Sequence, residues 1–162
     1  MEVCFSKLPE NSKVWIYTTN RELSNNEVNE IKKHSLDFLN NWTSHGIKVE
    51  GSILLPYNHF IIICASQENT NLSGCSIDDS IRFIKDIEEN FNISLLNREI
   101  IAFKDGDNIK KINLKNLKDE VIAGNLHPNT IVFNNLIESK KDYLNIWETS
   151  ASKTWLKRFL VN

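Results

Sequence analysis

The chain has 162 residues, 41% hydrophobic and 25% charged, which are ordinary globular values and predict one folded domain over residues 1–162 rather than disorder, and the order of its elements makes that domain α+β. A formal net charge of -2 argues against nucleic acid as a partner, because surfaces built for it are normally basic. Three cysteines (Cys4, Cys64 and Cys75) are widely spaced without a C-x-x-C pair. That pattern predicts reduced thiols in a cytoplasmic protein, not a disulfide framework or a zinc site. Met1-Glu2-Val3-Cys4-Phe5 has no cationic start followed by an apolar run, so no secretory signal is expected. The longest apolar stretch, Phe60–Ala65, is far too short to cross a bilayer, so no membrane insertion is expected.

In chain order, Lys13–Thr18 alternates β-favouring residues and predicts a strand. Ser24-Asn25-Asn26-Glu27 forms a capping box, and Val28, Ile31, Ser35, Phe38, Leu39 and Trp42 recur at helical spacing. Lys48–Pro56 and His59–Ser66 predict two strands joined at Tyr57-Asn58, the second apolar enough to be central. Ser76 onward predicts a second amphipathic helix through Ile77, Ile81, Ile84 and Phe91. Arg98–Lys104 predicts a strand, turned by Asp105-Gly106-Asp107-Asn108 into a partner near Ile109–Ile112. A short helix near Leu114–Ala123, closed by Gly124, and a strand near Thr130–Asn134 complete the pattern.

The first six elements follow the βαββαβ order, which predicts a ferredoxin-like core over about residues 13–104. An α/β C-terminal extension carrying Trp147, Trp155 and Phe159 is expected to cover the sheet face left bare by the helices. In this topology the second helix starts where the first helix and the fourth strand finish. Cys75 is therefore expected near Thr43-Ser44-His45-Gly46 and near Asp105-Gly106-Asp107. The opposite end gathers Asn20, Arg21, Tyr57, Asn58 and His59. Trp15 and Tyr17, if exposed, would suggest stacking on single-stranded nucleic acid.

The segment Leu72–Phe83 concentrates the chemistry. Ser73, Gly74, Cys75, Ser76, Asp78 and Arg82 form the candidate binding set, because a helix N-terminus offers unpaired N–H groups and a partial positive charge. Ser76 is expected as N-cap with Asp79 completing a capping box, worth about 1 kcal/mol. Gly74 is expected to permit a tight approach to the helix. Arg82 is expected to reach back to Asp78 or Asp79. Cys75 as nucleophile, His45 as base and Asp105 or Asp107 as orienting carboxylate form the candidate catalytic set. Packing is the simpler expectation for the cysteine, since a free cysteine behaves as a small hydrophobe. No metal or cofactor is expected. His34 and His127 lack metal-ligand spacing, His59 is expected to cap the hairpin end, and Asp105-Gly106-Asp107 lacks the calcium-loop spacing.

Leu8–Tyr17, Asn20-Arg21-Glu22-Leu23, Ser73–Asp78 and Thr130–Asn135 resemble an uncharacterised bacterial protein family whose members commonly carry the label "ABC transporter ATPase". The resemblance implies no established activity. The label conflicts with the residues: none of the glycines opens a G-x-x-x-x-G-K-S/T phosphate loop. The apolar strand runs into Ala65-Ser66 where a metal-binding aspartate is needed. Leu72-Ser73-Gly74 does echo the start of the transporter signature.

The expected function is a small cytosolic binding or interaction domain without catalysis of its own; the sequence does not name its partner, another protein being one candidate. The alternatives are a thiol-dependent enzyme or redox sensor using Cys75, and a nucleotide or anion binder at the start of the second helix.

Overall fold

A computed structural model describes residues 1–160. The elements are β1 (Lys13–Thr18), α1 (Asn25–Asn41), β2 (Thr43–Ser44), β3 (Ile47–Lys48), β4 (Gly51–Leu54), β5 (Phe60–Ala65) and α2 (Gly74–Phe91). They continue with β6 (Ile100–Asp105), β7 (Asn108–Asn113), α3 (Leu117–Ile122), β8 (Ile131–Phe133), α4 (Lys140–Ile146) and β9 (Glu148–Ser150). The fold is mixed α+β, with antiparallel sheets in the orders β1-β5-β4 and β7-β6-β8-β9 and a small β2-β3 hairpin.

The layers follow from alternation. All six residues of β5 are buried. Ile61, Ile63 and Ala65 join Val28, Ile31, Leu39, Phe83, Ile84 and Ile87 beneath α1 and α2. Phe60, Ile62 and Cys64 face the other way, onto Ala102, Phe133 and Trp147. The second sheet does the same: Ala102 and Phe133 point to this inter-sheet core, while Ile101, Phe103 and Val132 pack on Leu117 of α3 and on Leu156. The order is therefore helices, sheet, sheet, helix, with period-2 patterning on every shared strand.

Several expectations change. The strand that would complete a ferredoxin-like sheet beside β1 is β6, which instead belongs to the second sheet between β7 and β8. It carries two apolar faces, Ala102 on one side and Ile101 and Phe103 on the other, which two facing layers bury better than one sheet edge does. The C-terminal segment covers the first sheet through Phe133, Ile137 and Trp147. Trp155 and Phe159 are elsewhere: Phe159 packs on the outer core of the second sheet, with the two rings 5.9 Å apart. Trp15 and Tyr17 point toward the helices, where Trp15 meets Trp42 at 6.5 Å and Tyr17 is buried, so neither forms a free stacking platform.

Candidate functional site

Helix α2 begins three residues before its expected start. Ser73 is the N-cap, its side-chain oxygen accepting from the Ser76 N–H at 3.1 Å. Ser76 is buried in the first turn, its hydroxyl donating to the Ser73 carbonyl at 2.8 Å. Two contacts place the start there. Trp42, ending α1, donates its indole N–H to the Ser76 carbonyl at 2.8 Å, and the Ser73 N–H donates to Ser44 Oγ at 3.0 Å. A fully buried indole needs an acceptor, and this one sets the helix register. Gly74 is an ordinary helical residue: a Cβ there would meet nothing within 4 Å.

The expected proximity to the 43–46 turn is present through Ser44. The expected proximity to Asp105 and Asp107 is not. Lys104, just before Asp105, lies over the Tyr57 ring at 5.0 Å, and Tyr57 follows β4 at the end of the first sheet away from Ser73. This follows from β6 having left that sheet. Asp105 pairs instead with Lys110 at 2.7 Å. Cys75 and His45 are exposed, His45 in a positive-φ turn with Gly46. Among the described residues no hydrogen bond or ion pair links Cys75, His45, Asp105 and Asp107. Arg82 pairs with Asp79 at 2.9 Å, so Asp79 serves the helix surface rather than a capping box. Asp78 is exposed at the same surface.

A second constellation lies at the opposite end of the first sheet, around Pro56-Tyr57-Asn58-His59. Tyr57 and Asn58 both have positive φ, 58° and 60°. Asparagine tolerates this region, but for a bulky side chain such as tyrosine it costs about 1–3 kcal/mol. The neighbours hold it there. The Tyr57 hydroxyl donates to the Glu148 carboxylate, and Lys104 lies 3.0 Å from that carboxylate. Phe133 meets the ring at 5.7 Å and Trp147 at 6.4 Å. Burial, and then the Glu148 carboxylate, raise the Tyr57 pKa, while the Glu148 hydrogen bond raises that of Lys104.

On the open side of Tyr57 lies a concavity of about 410 Å³ lined by Pro56, Tyr57, Tyr143, Leu144, Trp147 and Glu148. Trp147 is its buried floor at 3% exposure, and Leu144 stands on its rim at 58%. Burial pushes the Tyr143 phenol up to about 12, so it stays neutral. Behind the turn, the Lys111 ammonium donates to the Thr19 carbonyl and to Thr19 Oγ1 at 3.1 Å. Burial brings its pKa down to about 8, and lowers that of His59, whose Nδ1 is buried without a hydrogen-bond partner. Because the Lys111 protons are aimed at Thr19, this lysine ties the second sheet to the end of β1.

Sequence patterning missed this constellation because it is assembled from four distant segments. The one local signal was Pro56-Tyr57-Asn58, a turn with an asparagine suited to positive φ. Among the described residues, no three His, Cys, Asp or Glu side chains gather closely enough to hold a metal ion, and no helix is long and apolar enough to cross a membrane.

Comparison of the chain with protein-family models, with curated proteins and with solved structures finds no match.

Proposed function

We propose that this protein is a binding or interaction domain without catalysis of its own, and that its partner engages the aromatic concavity between the 56–59 turn and α4. The observation that carries this is Tyr57, a bulky residue kept at φ 58° on the rim of a pocket floored by Trp147 and flanked by the exposed Leu144. Backbone outliers concentrate at ligand clamps. Tyrosine and tryptophan packed in a pocket are also the residues enriched at interaction hot spots. The partner is a protein presenting an apolar side chain to that pocket.

The separation of Asp105 and Asp107 from Cys75, with no hydrogen bond between Cys75 and His45 among the described residues, supports a non-catalytic role. The order β1-β5-β4 with α1 and α2 supports reading residues 13–91 as a ferredoxin-like unit whose fourth-strand place is taken over only in part. The cysteine pattern supports a reducing, cytosolic setting.

Affinity capture from native lysate, quantified against a Leu144→Asp variant, tests the proposal. The expected result is a partner recovered by the wild-type protein and lost by the variant, whose substituted side chain is exposed and spares the fold. Equal recovery by both removes the pocket from the function.

A further inference from the structure

The free edge of β1 is the place where the backbone has groups to give and little to receive them. The Thr19 N–H donates to the His59 carbonyl at 2.9 Å, so in the β1-β5 register residues 13, 15, 17 and 19 bond to β5. Val14, Ile16 and Thr18 therefore turn their N–H and C=O groups outward. Only the beginning of this edge is paired: the Val14 N–H donates to the Glu138 carbonyl at 2.9 Å, and the Lys140 N–H donates to the Ser12 carbonyl at 2.9 Å. The chain that makes these bonds then leaves the edge, because residues 133–137 close on themselves. The Asn135 N–H bonds to the Phe133 carbonyl at 3.1 Å, and the Ile137 N–H to the Asn134 carbonyl at 3.4 Å. The Leu136 N–H bonds to Asn134 Oδ1 at 3.3 Å. Asn135 returns only to the Thr18 side chain, Nδ2 to Oγ1 at 2.8 Å.

Among the described residues the Ile16 N–H and C=O, the Val14 C=O and the Thr18 N–H have no backbone partner. They border a groove of about 250 Å³ between residues 95–100 and 135–138, where Ile16 is partly exposed while Val14 and Thr18 are only 3% and 4% exposed, so Ile16 is where the edge opens. An unpaired edge of this kind is a template for an added strand, and native proteins usually cover it. Two wall residues specify what would lie on it. Leu136 is 70% exposed, and Arg98 has no ion pair among the described residues, whereas the other groove charges, Lys13 and Glu138, pair with each other at 3.7 Å.

We propose that the β1 edge is a strand-addition site for an extended segment of a partner protein, in which apolar side chains alternate with carboxylates, the backbone pairing centred on the N–H and C=O of Ile16, an apolar residue lying on Leu136 and a carboxylate on Arg98. Main-chain bonds supply affinity in such binding and alternate side-chain contacts supply specificity. This site is separate from the Tyr57 pocket and does not depend on it.

The test uses a phage-displayed library of seven-residue peptides selected against the full chain and, in parallel, against Arg98→Glu. The wild-type protein should enrich alternating apolar and acidic sequences, and Arg98→Glu should enrich Lys and Arg instead. Amide hydrogen exchange reads the mechanism. In the free protein the Ile16 N–H should exchange about 100-fold faster than those of Trp15 and Tyr17, and a selected peptide should slow it to their range. N-methylation of the peptide's central amides should abolish that protection, and Leu144→Asp should leave it unchanged. Three results would overturn the proposal: an Ile16 amide as protected in the free protein as its neighbours, peptides that bind without slowing it, or identical selections on both proteins. A chain that dimerises through this edge and enriches no peptide would assign the edge to a second copy and overturn it as well.

Discussion

Replacing Glu27 by Gln should lower stability at neutral pH and make no difference in acid. Arg21 forms a bidentate pair with Glu27, Nη1 to Oε1 at 2.8 Å and Nη2 to Oε2 at 2.7 Å. It also donates to the Phe91 carbonyl at the end of α2, at 2.9 Å. The same carboxylate completes the α1 capping box by accepting from the Ser24 N–H at 3.0 Å. One side chain thus fixes the start of α1 and, through Arg21, the end of α2. The Arg21 guanidinium, followed by the Ser24 N–H, holds the Glu27 carboxyl at about 2, against 4.5 for an ordinary glutamate. Fully shielded from water, that displacement would amount to about 3 kcal/mol. Arg21 is 43% exposed, and screening at such a site leaves about 1 kcal/mol.

The sign follows from linkage. A depressed carboxyl stabilises the fold fully above pH 4.5, and the contribution fades as pH falls toward 2. Glutamine keeps an oxygen for Ser24 and loses the charge. Urea denaturation should therefore place Glu27→Gln about 1 kcal/mol below wild type at pH 7, with the gap narrowing between pH 5 and pH 3. Equal stability at pH 7, or a gap that persists unchanged into acid, would show that the Arg21–Glu27 pair contributes no pH-dependent stability.

Three further expectations concern single side chains. Iodoacetamide should label the exposed Cys4 and Cys75 in the native protein. Cys64, whose thiol burial pushes up to about 12, should be labelled only in denaturant, as peptide mass spectrometry will show. Gly51→Ala should destabilise by about 1–3 kcal/mol, since its Cβ would lie 3.0 Å from the Cys64 carbonyl oxygen and 3.1 Å from Leu39 Cδ2; unchanged urea unfolding would show that these neighbours yield freely. Lys140, only 5% exposed, donates to the Leu8 carbonyl at 2.6 Å and the Ser6 carbonyl at 3.3 Å. Lys140→Met should cost about 2 kcal/mol in thermal or urea unfolding, and a neutral result would mean that water replaces the ammonium at those carbonyls.

What the sequence disclosed was local. The Ser24–Glu27 capping box, the apolar stripe of α1, the buried run of β5 and the Asp105-Gly106 hairpin are each specified within a few residues, and each is present. The start of α2 was misplaced because Ser73 and Ser76 are both capable caps. The choice between them is made by Trp42 and Ser44, which are distant in sequence. The second sheet was not foreseen because Ile100–Asp105 fits an edge beside β1 and a centre between β7 and β8 equally well in pattern. Only the partners distinguish the two. Helix α4 and strand β9 are seven and three residues long, too short for periodicity to register. The Cys75 constellation rested on the topology and dissolved with it. The Tyr57 pocket depends on a backbone conformation that tyrosine seldom adopts, so composition offered little sign of it.

We propose that this domain works by binding at the Tyr57–Trp147 pocket and not through chemistry at Cys75. The dissociation constant of the captured partner, measured by calorimetry on wild type, Leu144→Asp and Cys75→Ala/Arg82→Ala, decides it. Binding weakened more than tenfold, or about 1.4 kcal/mol, by Leu144→Asp and unaffected by the double variant is the predicted result. Binding lost in the Cys75→Ala/Arg82→Ala protein and retained in Leu144→Asp would contradict it.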